Sequence, residues 1–396
     1  MNDIRLARRL DSLRSNVFAD MDRAKALSKA AGNPILDLSL GSSDLPVAAP
    51  VIEAIERSLH DPTTHGYLLH RETGEFRQAV ARWYGDRYGV PVDPETEVLP
   101  LIGSQEGTAH LPLALLDPGD FALLLDPGYP SHIGGVALAG GQMYSMPLLA
   151  ENDFLPVLED IPAAVLAGSR MMVLSYPHNP TTAIAPLEFF QKAVNFCREY
   201  NLVLVHDFPY HDFYFDGTPA PPSILQADRE KERSIEFFTF SKSYNMGGFR
   251  VGFAIGNAKL ITALRQIKAM VDFNQYRGIL NGAIVALTGN QDSVRETVET
   301  FRKRRDAFVA ALDRIGWHVP RPKATMYVWA RLPEPWRRDS AGFCTRLVAK
   351  TGIAVSPGAG FGKCGEGYVR FALVHDPDVL ETAVERIAEF LHATDL

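Results

Sequence analysis

Four short stretches of this chain share one form, and that form narrows the fold more than anything else in the sequence. "FALLLDPGYP" (121 to 130), "MMVLSYPHNP" (171 to 180), "LVLVHDFPY" (202 to 210) and "IEFFTFSKS" (235 to 243) each run apolar and then stop in polar, Gly or Pro residues. Such a run reads as a strand buried on both faces. The stretches between are long enough for helical crossovers. The clearest is "PLEFFQKAVNFCREYN" (186 to 201), with Pro186 near its first turn and apolar residues at helical spacing. Strand, crossover, strand is the connectivity of a mainly parallel sheet, which places the chain in the α/β class. "VLPLIGSQEGTAHLPLALL" (98 to 116) adds a strand, a Gly-Ser turn and a helix whose first N–H groups suit an anion.

In such sheets ligands bind beyond the carboxyl ends of the strands, so the residues that end each run should meet in one crevice. They are Tyr129, Asn179, Asp207, Tyr210 and Lys242. At a strand end inside a crevice, desolvation and the nearby Arg250 would favour a neutral Lys242 amine able to form a Schiff base. Asp207 needs a cationic partner, a need that a pyridinium N–H would meet. Tyr210 and Asn179 offer donors to a phenolic oxygen on such a ring, and Tyr129 an aromatic face. Ser104, Gln105, Ser241 and Arg250 can build a phosphate site from a helix N-terminus, hydroxyls and a guanidinium. Gly247 and Gly248 are read as letting the chain turn between Lys242 and Arg250.

At 396 residues two packed units are expected. Residues 46–290 read as the large ligand-binding unit and 291–396 as a smaller α+β unit, opening with the amphipathic "SVRETVETFRKRRDAFVAALDRIG" (293 to 316). Residues 1–45 have no strand-crossover rhythm and read as packing with the smaller unit. A net charge of -7 with no basic stripe argues against a nucleic-acid partner, and no apolar run approaches a membrane span. Cys197, Cys344 and Cys364 are few and far apart, which suits reduced thiols in the cytoplasm. The Arg-rich N-terminus lacks the apolar centre of a signal peptide. "HDFPYHDF" (206 to 213) resembles a metal cluster only superficially, because His206 and Asp207 are strand neighbours pointing to opposite faces; no metal is expected. "GSQEG" lacks the spacing of a serine-hydrolase elbow.

With these residues in place the chain resembles the class I/II aminotransferases of pyridoxal-phosphate fold type I over roughly residues 35 to 390. "SKSYNMGGFRVG", "YPHNP", "DFPY" and "DPGYP" follow the family's order. The resemblance implies a mainly parallel seven-stranded sheet flanked by helices, pyridoxal 5'-phosphate as cofactor, and transfer of an amino group from an L-amino acid to a 2-oxo acid by ping-pong chemistry. It implies Lys242 as the Schiff-base lysine, Asp207 at the pyridine nitrogen, Asn179 and Tyr210 at the phenolic oxygen, Tyr129 over the ring and Arg250 at the phosphate. "YVRFAL" makes Arg370 the clamp on the substrate carboxylate, and Gly41 matches a glycine lying along the substrate. Tyr67 resembles a tyrosine that reaches the neighbouring subunit's cofactor phosphate, which implies a homodimer with shared active sites. The nearest likeness is to the LL-diaminopimelate aminotransferase branch.

The chain departs from the family's text at Thr182 and Glu72, where glycine is usual, and along "VDFNQYRGILNG" (271 to 282). Phe18, His70, Arg71, Asn274, Gln275, Tyr276 and Arg277 are candidates for the side-chain pocket; Arg277 reads equally as a ligand for an acidic group or as a salt-bridged surface residue. The same cofactor could instead serve lyase or oxidase chemistry. A ligand-sensing regulator on this fold would need an N-terminal DNA-binding domain, for which motif residues starting near Gly41 leave no room.

Overall fold

The computed structural model of the chain describes residues 4–13, 16–32 and 34–394. Its centre is a seven-stranded sheet in the order Val98–Leu101, Gly252–Gly256, Ser234–Thr239, Val203–Asp207, Ser169–Leu174, Phe121–Asp126, Gln142–Pro147. Every neighbouring pair is parallel except the two that Gly252–Gly256 makes, so one strand is reversed. The four apolar runs all lie in this sheet, at Phe121–Asp126, Ser169–Leu174, Val203–Asp207 and Ser234–Thr239.

Those runs are apolar throughout because helices cover both faces. Leu123, Leu125, Met172, Leu174 and Leu204 enter one core, while Ala122, Leu124, Met171, Val173 and Val205 enter another on the opposite face. The alternation is the two-residue period of a strand. Phe238 and Phe253, facing across two strands, stack with ring centroids 4.9 Å apart, a pair worth about 1 kcal/mol beyond its buried area. The crossover foreseen at 186–201 is the helix Leu187–Glu199, with Pro186 at its N-cap.

A third core joins the long helix Asp292–Arg314, the helices Ser340–Thr351 and Pro377–Thr394, and an antiparallel sheet ordered Ser356–Pro357, Tyr368–Ala372, Tyr327–Arg331. Met21, Ala24 and Leu38 from the N-terminal segment are buried in this same core. Leu36–Asp37 pairs in parallel with Ile353–Ala354, and Ala372 N donates to Leu38 O at 2.8 Å. That stitching carries the chain straight into Leu40, Gly41 and Ser42, which hang over the C-terminal edge of the large sheet.

Candidate active site

A cavity of about 270 Å³ opens at that edge, lined by the ends of the parallel strands, the N-terminus of helix Ser104–Leu115, the Leu40–Ser42 segment and two residues of the small sheet, Tyr327 and Arg370. Of the twelve residues placed around the cofactor and the substrate's carboxylate end from the sequence, eleven line it: Gly41, Ser104, Gln105, Tyr129, Asn179, Asp207, Tyr210, Ser241, Lys242, Arg250 and Arg370. Tyr67 does not; it is 89% exposed, its ring edge-on to Phe273 at 6.0 Å.

Asp207 ends strand Val203–Asp207 and is buried. Its Oδ2 lies 3.1 Å from His132 Nε2, while Oδ1 is shielded from solvent and has no partner. An ionised carboxylate only accepts, so His132 supplies the hydrogen. A buried acceptor with nothing to accept costs roughly 1–3 kcal/mol, which a donor in the cavity would recover. His132 is reached one helical turn after Tyr129, and no signal in the sequence marked it.

Lys242 follows strand Ser234–Thr239, donates to Gly41 O and sits 5.8 Å from the centre of the Tyr210 ring. The Tyr210 hydroxyl is 2.7 Å from that of Tyr327. Arg370 is 5% exposed and donates to Asn179 Oδ1 at 2.7 Å, Ser39 O at 2.6 Å and Ser356 Oγ at 3.2 Å. Its guanidinium lies 4.3 Å from the Tyr327 ring centre and 4.7 Å from that of Phe361. Among the described residues no carboxylate pairs with Arg370, and its Nε is buried without a partner. A buried cation in that condition is a seat for an anion.

At the other end of the cavity, helix Ser104–Leu115 begins after Gly103, whose φ is +75°. That φ calls for glycine, and a Cβ on Gly103 would have to push the Arg250 guanidinium aside. Ser104, Gln105, Ser241 and Arg250 thus surround an anion-sized corner with a helix N-terminus behind it. The expected role of Gly247 and Gly248 does not hold: neither takes a positive φ, a Cβ on either would have room, and the left-handed residues of the turn are Asn245 and Arg250.

Burial, with the phenol of Tyr327 adding to it, pushes the Tyr129 hydroxyl above its usual pKa. Thr182 occupies the left-handed region at φ +66°, so the turn after Asn179 keeps the conformation in which glycine is usual. Glu72 lies in a 3-10 turn, accepts from Leu69 N at 2.8 Å and pairs with Arg277 at 3.4 Å. Arg277 is therefore salt-bridged outside the cavity. Asn274 donates to Leu68 O, Gln275 to Leu101 O, and Tyr276 shares a 2.9 Å hydrogen bond with Thr64. None of these, nor His70 or Arg71, lines the cavity of this chain. The side chain of Phe18 lies outside the described residues.

The "HDFPYHDF" groups do not converge. His206 bonds Glu236 at 2.7 Å in the core, and His211 and Asp212 lie against each other beside Arg87. Glu106, His110 and Asp272 do approach one another, but the Lys268 ammonium lies 2.8 Å from Glu106 and 3.6 Å from Asp272 and already supplies the cation. Tyr327 was not found from sequence either. Its signal lay in the alternation of "MYVWARL" against "YVRFAL": Trp329 faces Arg370 across the sheet, so Tyr327, two residues away, shares that face.

The family model described as aminotransferase class I and II matches residues 33–387. An LL-diaminopimelate aminotransferase of Nitratidesulfovibrio vulgaris is 44% identical over 388 residues, covering 98% of this chain and 100% of that one. A probable N-succinyldiaminopimelate aminotransferase of Thermus thermophilus superposes with a TM-score of 0.89 at 42% identity, covering 94% of this chain and 100% of that one. A single-mutant aspartate aminotransferase of the same organism superposes with a TM-score of 0.90 at 26% identity, covering 98% and 100%.

Proposed function

This chain belongs to the class I and II aminotransferases, and from that membership we propose how its own residues divide the labour. The enzyme depends on pyridoxal 5'-phosphate and moves an amino group from an L-amino acid to a 2-oxo acid in two half-reactions. When bound, the cofactor supplies an electron sink for negative charge at the substrate Cα. The residues present fit it. The partnerless Asp207 Oδ1 would take the ring N–H, and Ser104, Gln105, Ser241 and Arg250 would hold the phosphate. Asn179 and Tyr210 would bond the phenolic oxygen, Tyr129 would cover the ring, and Lys242 would form the covalent link.

Arg370 binds the α-carboxylate of donor and acceptor alike, as a forked cation already stripped of water. Gly41 leaves the substrate close access to backbone, since a Cβ there would collide with the Tyr327 hydroxyl. Lys242, once free, would take the Cα proton at Nζ and hand it on to the carbonyl-derived carbon of the bound cofactor, which requires only that it leave Gly41 O. Asp207, oriented by His132, would accept from the ring nitrogen of the bound cofactor and hold its proton in place.

The observation that carries this reading is the presence, in one cavity, of a lysine and a buried arginine that have no carboxylate partner among the described residues, beside an aspartate oxygen that has no donor among them. Its test is Lys242→Ala. The variant should lose turnover by several orders of magnitude and lose the visible absorption of lysine-bound cofactor; wild-type turnover would refute it.

The substrate side chain is taken to be of the diaminopimelate type, with a second polar end, on the strength of the names of the LL-diaminopimelate and N-succinyldiaminopimelate relatives. In this scheme Lys242, Arg250 and Arg370 are all engaged, which leaves the distal end to neutral groups such as Ser42 or to a partner subunit. A donor panel scored by the stoichiometric appearance of a new amino acid tests it, and ammonia release without an acceptor would point to lyase chemistry instead. A homodimer with shared sites is supported by the exposed Tyr67, Met270 and Val271, with Tyr67 edge-on to Phe273. The separate cores support a division into residues 46–290 and 291–396, with 1–45 packed on the latter. Cytoplasmic residence is supported by Cys197, Cys344 and Cys364, which form no disulfide; among the described residues no helix is long and apolar enough to cross a membrane.

A further inference from the structure

Tyr327 has no role in the scheme above, yet it touches three of its members and stands one contact from a fourth. Its hydroxyl is 2.7 Å from that of Tyr210, and its ring lies 4.3 Å from the Arg370 guanidinium. The position a Gly41 Cβ would take is 1.9 Å from its hydroxyl oxygen, and Gly41 O in turn holds Lys242. Tyr327 is 2% exposed, so each contact is made out of water. We propose that Tyr327 is a positioning residue with two separable parts: its hydroxyl fixes the proton of Tyr210, and its ring seats Arg370.

Either hydroxyl of the Tyr210–Tyr327 pair could donate, and the one hydrogen that Tyr210 has to offer the phenolic oxygen decides between them. Burial disfavours ionisation of Tyr327, but the cations Lys242 and Arg370 and the bond with Tyr210 outweigh it and hold the hydroxyl below the usual tyrosine range. Tyr210 goes the other way, held well above that range by burial first and by Tyr327 next. With the single hydrogen of Tyr210 directed into the cavity, Tyr327 is left to donate and Tyr210 accepts, the direction these opposed shifts also favour. A bond received at its oxygen also makes Tyr210 a stronger donor, because linked hydrogen bonds polarise one another.

The ring works independently of the hydroxyl. Arg370 has no carboxylate partner among the described residues and carries its planar cation over an aromatic face, which restricts its tilt without neutralising it. A substrate carboxylate then meets a fork already oriented.

This rests on the assignment of Lys242 and Tyr210 to pyridoxal phosphate, and the test separates the two. The pH dependence of the visible absorption of lysine-bound cofactor is titrated in purified holoenzyme for wild type, Tyr327→Phe and Tyr327→Leu. Phe removes one oxygen and keeps the ring. Weakening Tyr210 as a donor to the phenolic oxygen favours the protonated nitrogen, so the midpoint should rise by at least about 0.3 pH unit in Tyr327→Phe. KM for donor and acceptor should stay within about twofold in that variant and rise at least about fivefold in Tyr327→Leu. A Phe midpoint that moves less, or falls, overturns the hydroxyl's role, and an unchanged KM in the Leu variant overturns the ring's. A wild-type holoenzyme with no pH-dependent visible band sinks the cofactor assignment and this inference together.

Discussion

Arg370 Nη1 and Asn179 Oδ1 are 2.7 Å apart, joining the small sheet to the loop after strand Ser169–Leu174 across 191 positions of sequence. The same guanidinium reaches Ser39 O, so one side chain gathers three separate segments around the cavity. What the site needs from it is a planar fork, not charge alone. Arg370→Lys keeps the charge but cannot bond Asn179, Ser39 and Ser356 together or lie flat on Tyr327. Steady-state kinetics should show KM for amino acid and 2-oxo acid both raised by about 10- to 100-fold, corresponding to ~1.4–2.8 kcal/mol. Cofactor affinity should be unchanged, and a rise in KM for only one substrate would contradict a clamp shared by both.

Asp207 makes a sharper demand. Asp207→Asn preserves size and can still bond His132, but an amide cannot counter a positive ring nitrogen. We expect kcat to fall about 10³-fold with little change in KM, since electrostatic stabilisation of this kind acts on developing charge. His132→Asn, which disturbs only the orientation of Asp207, should cost roughly tenfold. Equal effects from the two changes would mean that His132 meets the substrate itself.

The strands that build this site were legible because their burial on both faces leaves runs such as Leu123–Leu125 and Met171–Leu174 apolar at every position. Once they are parallel, topology alone sends Tyr129, Asn179, Asp207 and Lys242 to one edge. Strand Gln142–Pro147 left no such trace, because it lies at the sheet edge with half of its residues exposed. His132 and Tyr327 were illegible for another reason. Each enters the cavity through tertiary packing, His132 from a helix turn and Tyr327 from a second sheet, and a local pattern does not record which side chain a distant element will meet. The partner of Arg277 was illegible for the same reason: Glu72 and Arg277 are far apart in sequence, and only the fold pairs them.

Gly103 offers a test of the anion corner that changes no polar group. Gly103→Ala puts a methyl into the space of the Arg250 guanidinium and forces a φ of +75° on a residue with a Cβ. The conformational cost is about 1–2 kcal/mol of stability. Displacing a charge-assisted bond to phosphate should weaken cofactor binding by about tenfold. Equilibrium dialysis measures the second effect apart from the first. Unchanged cofactor affinity would remove Arg250 from the phosphate site.

His178, next to Asn179, links stability to pH. It is fully buried, with Nδ1 2.8 Å from Thr181 Oγ1 and Nε2 without a partner. Burial first, then the nearby His132, lower its pKa from 6.5 to about 3. Between those values the unfolded chain binds a proton that the fold excludes, so stability rises with pH. The contribution is complete above the unfolded value of 6.5 and is lost as pH falls toward about 3. From pH 7 to pH 5 the wild type should lose about 2 kcal/mol through this group. His178→Asn can still bond Thr181 but cannot titrate. Its urea-unfolding free energy should therefore fall less steeply over that interval, by the same ~2 kcal/mol, whatever the other histidines contribute to both proteins. Parallel pH profiles would show that His178 is charged within the fold, and the loop carrying Asn179 would then need a counter-ion that the surrounding residues do not supply.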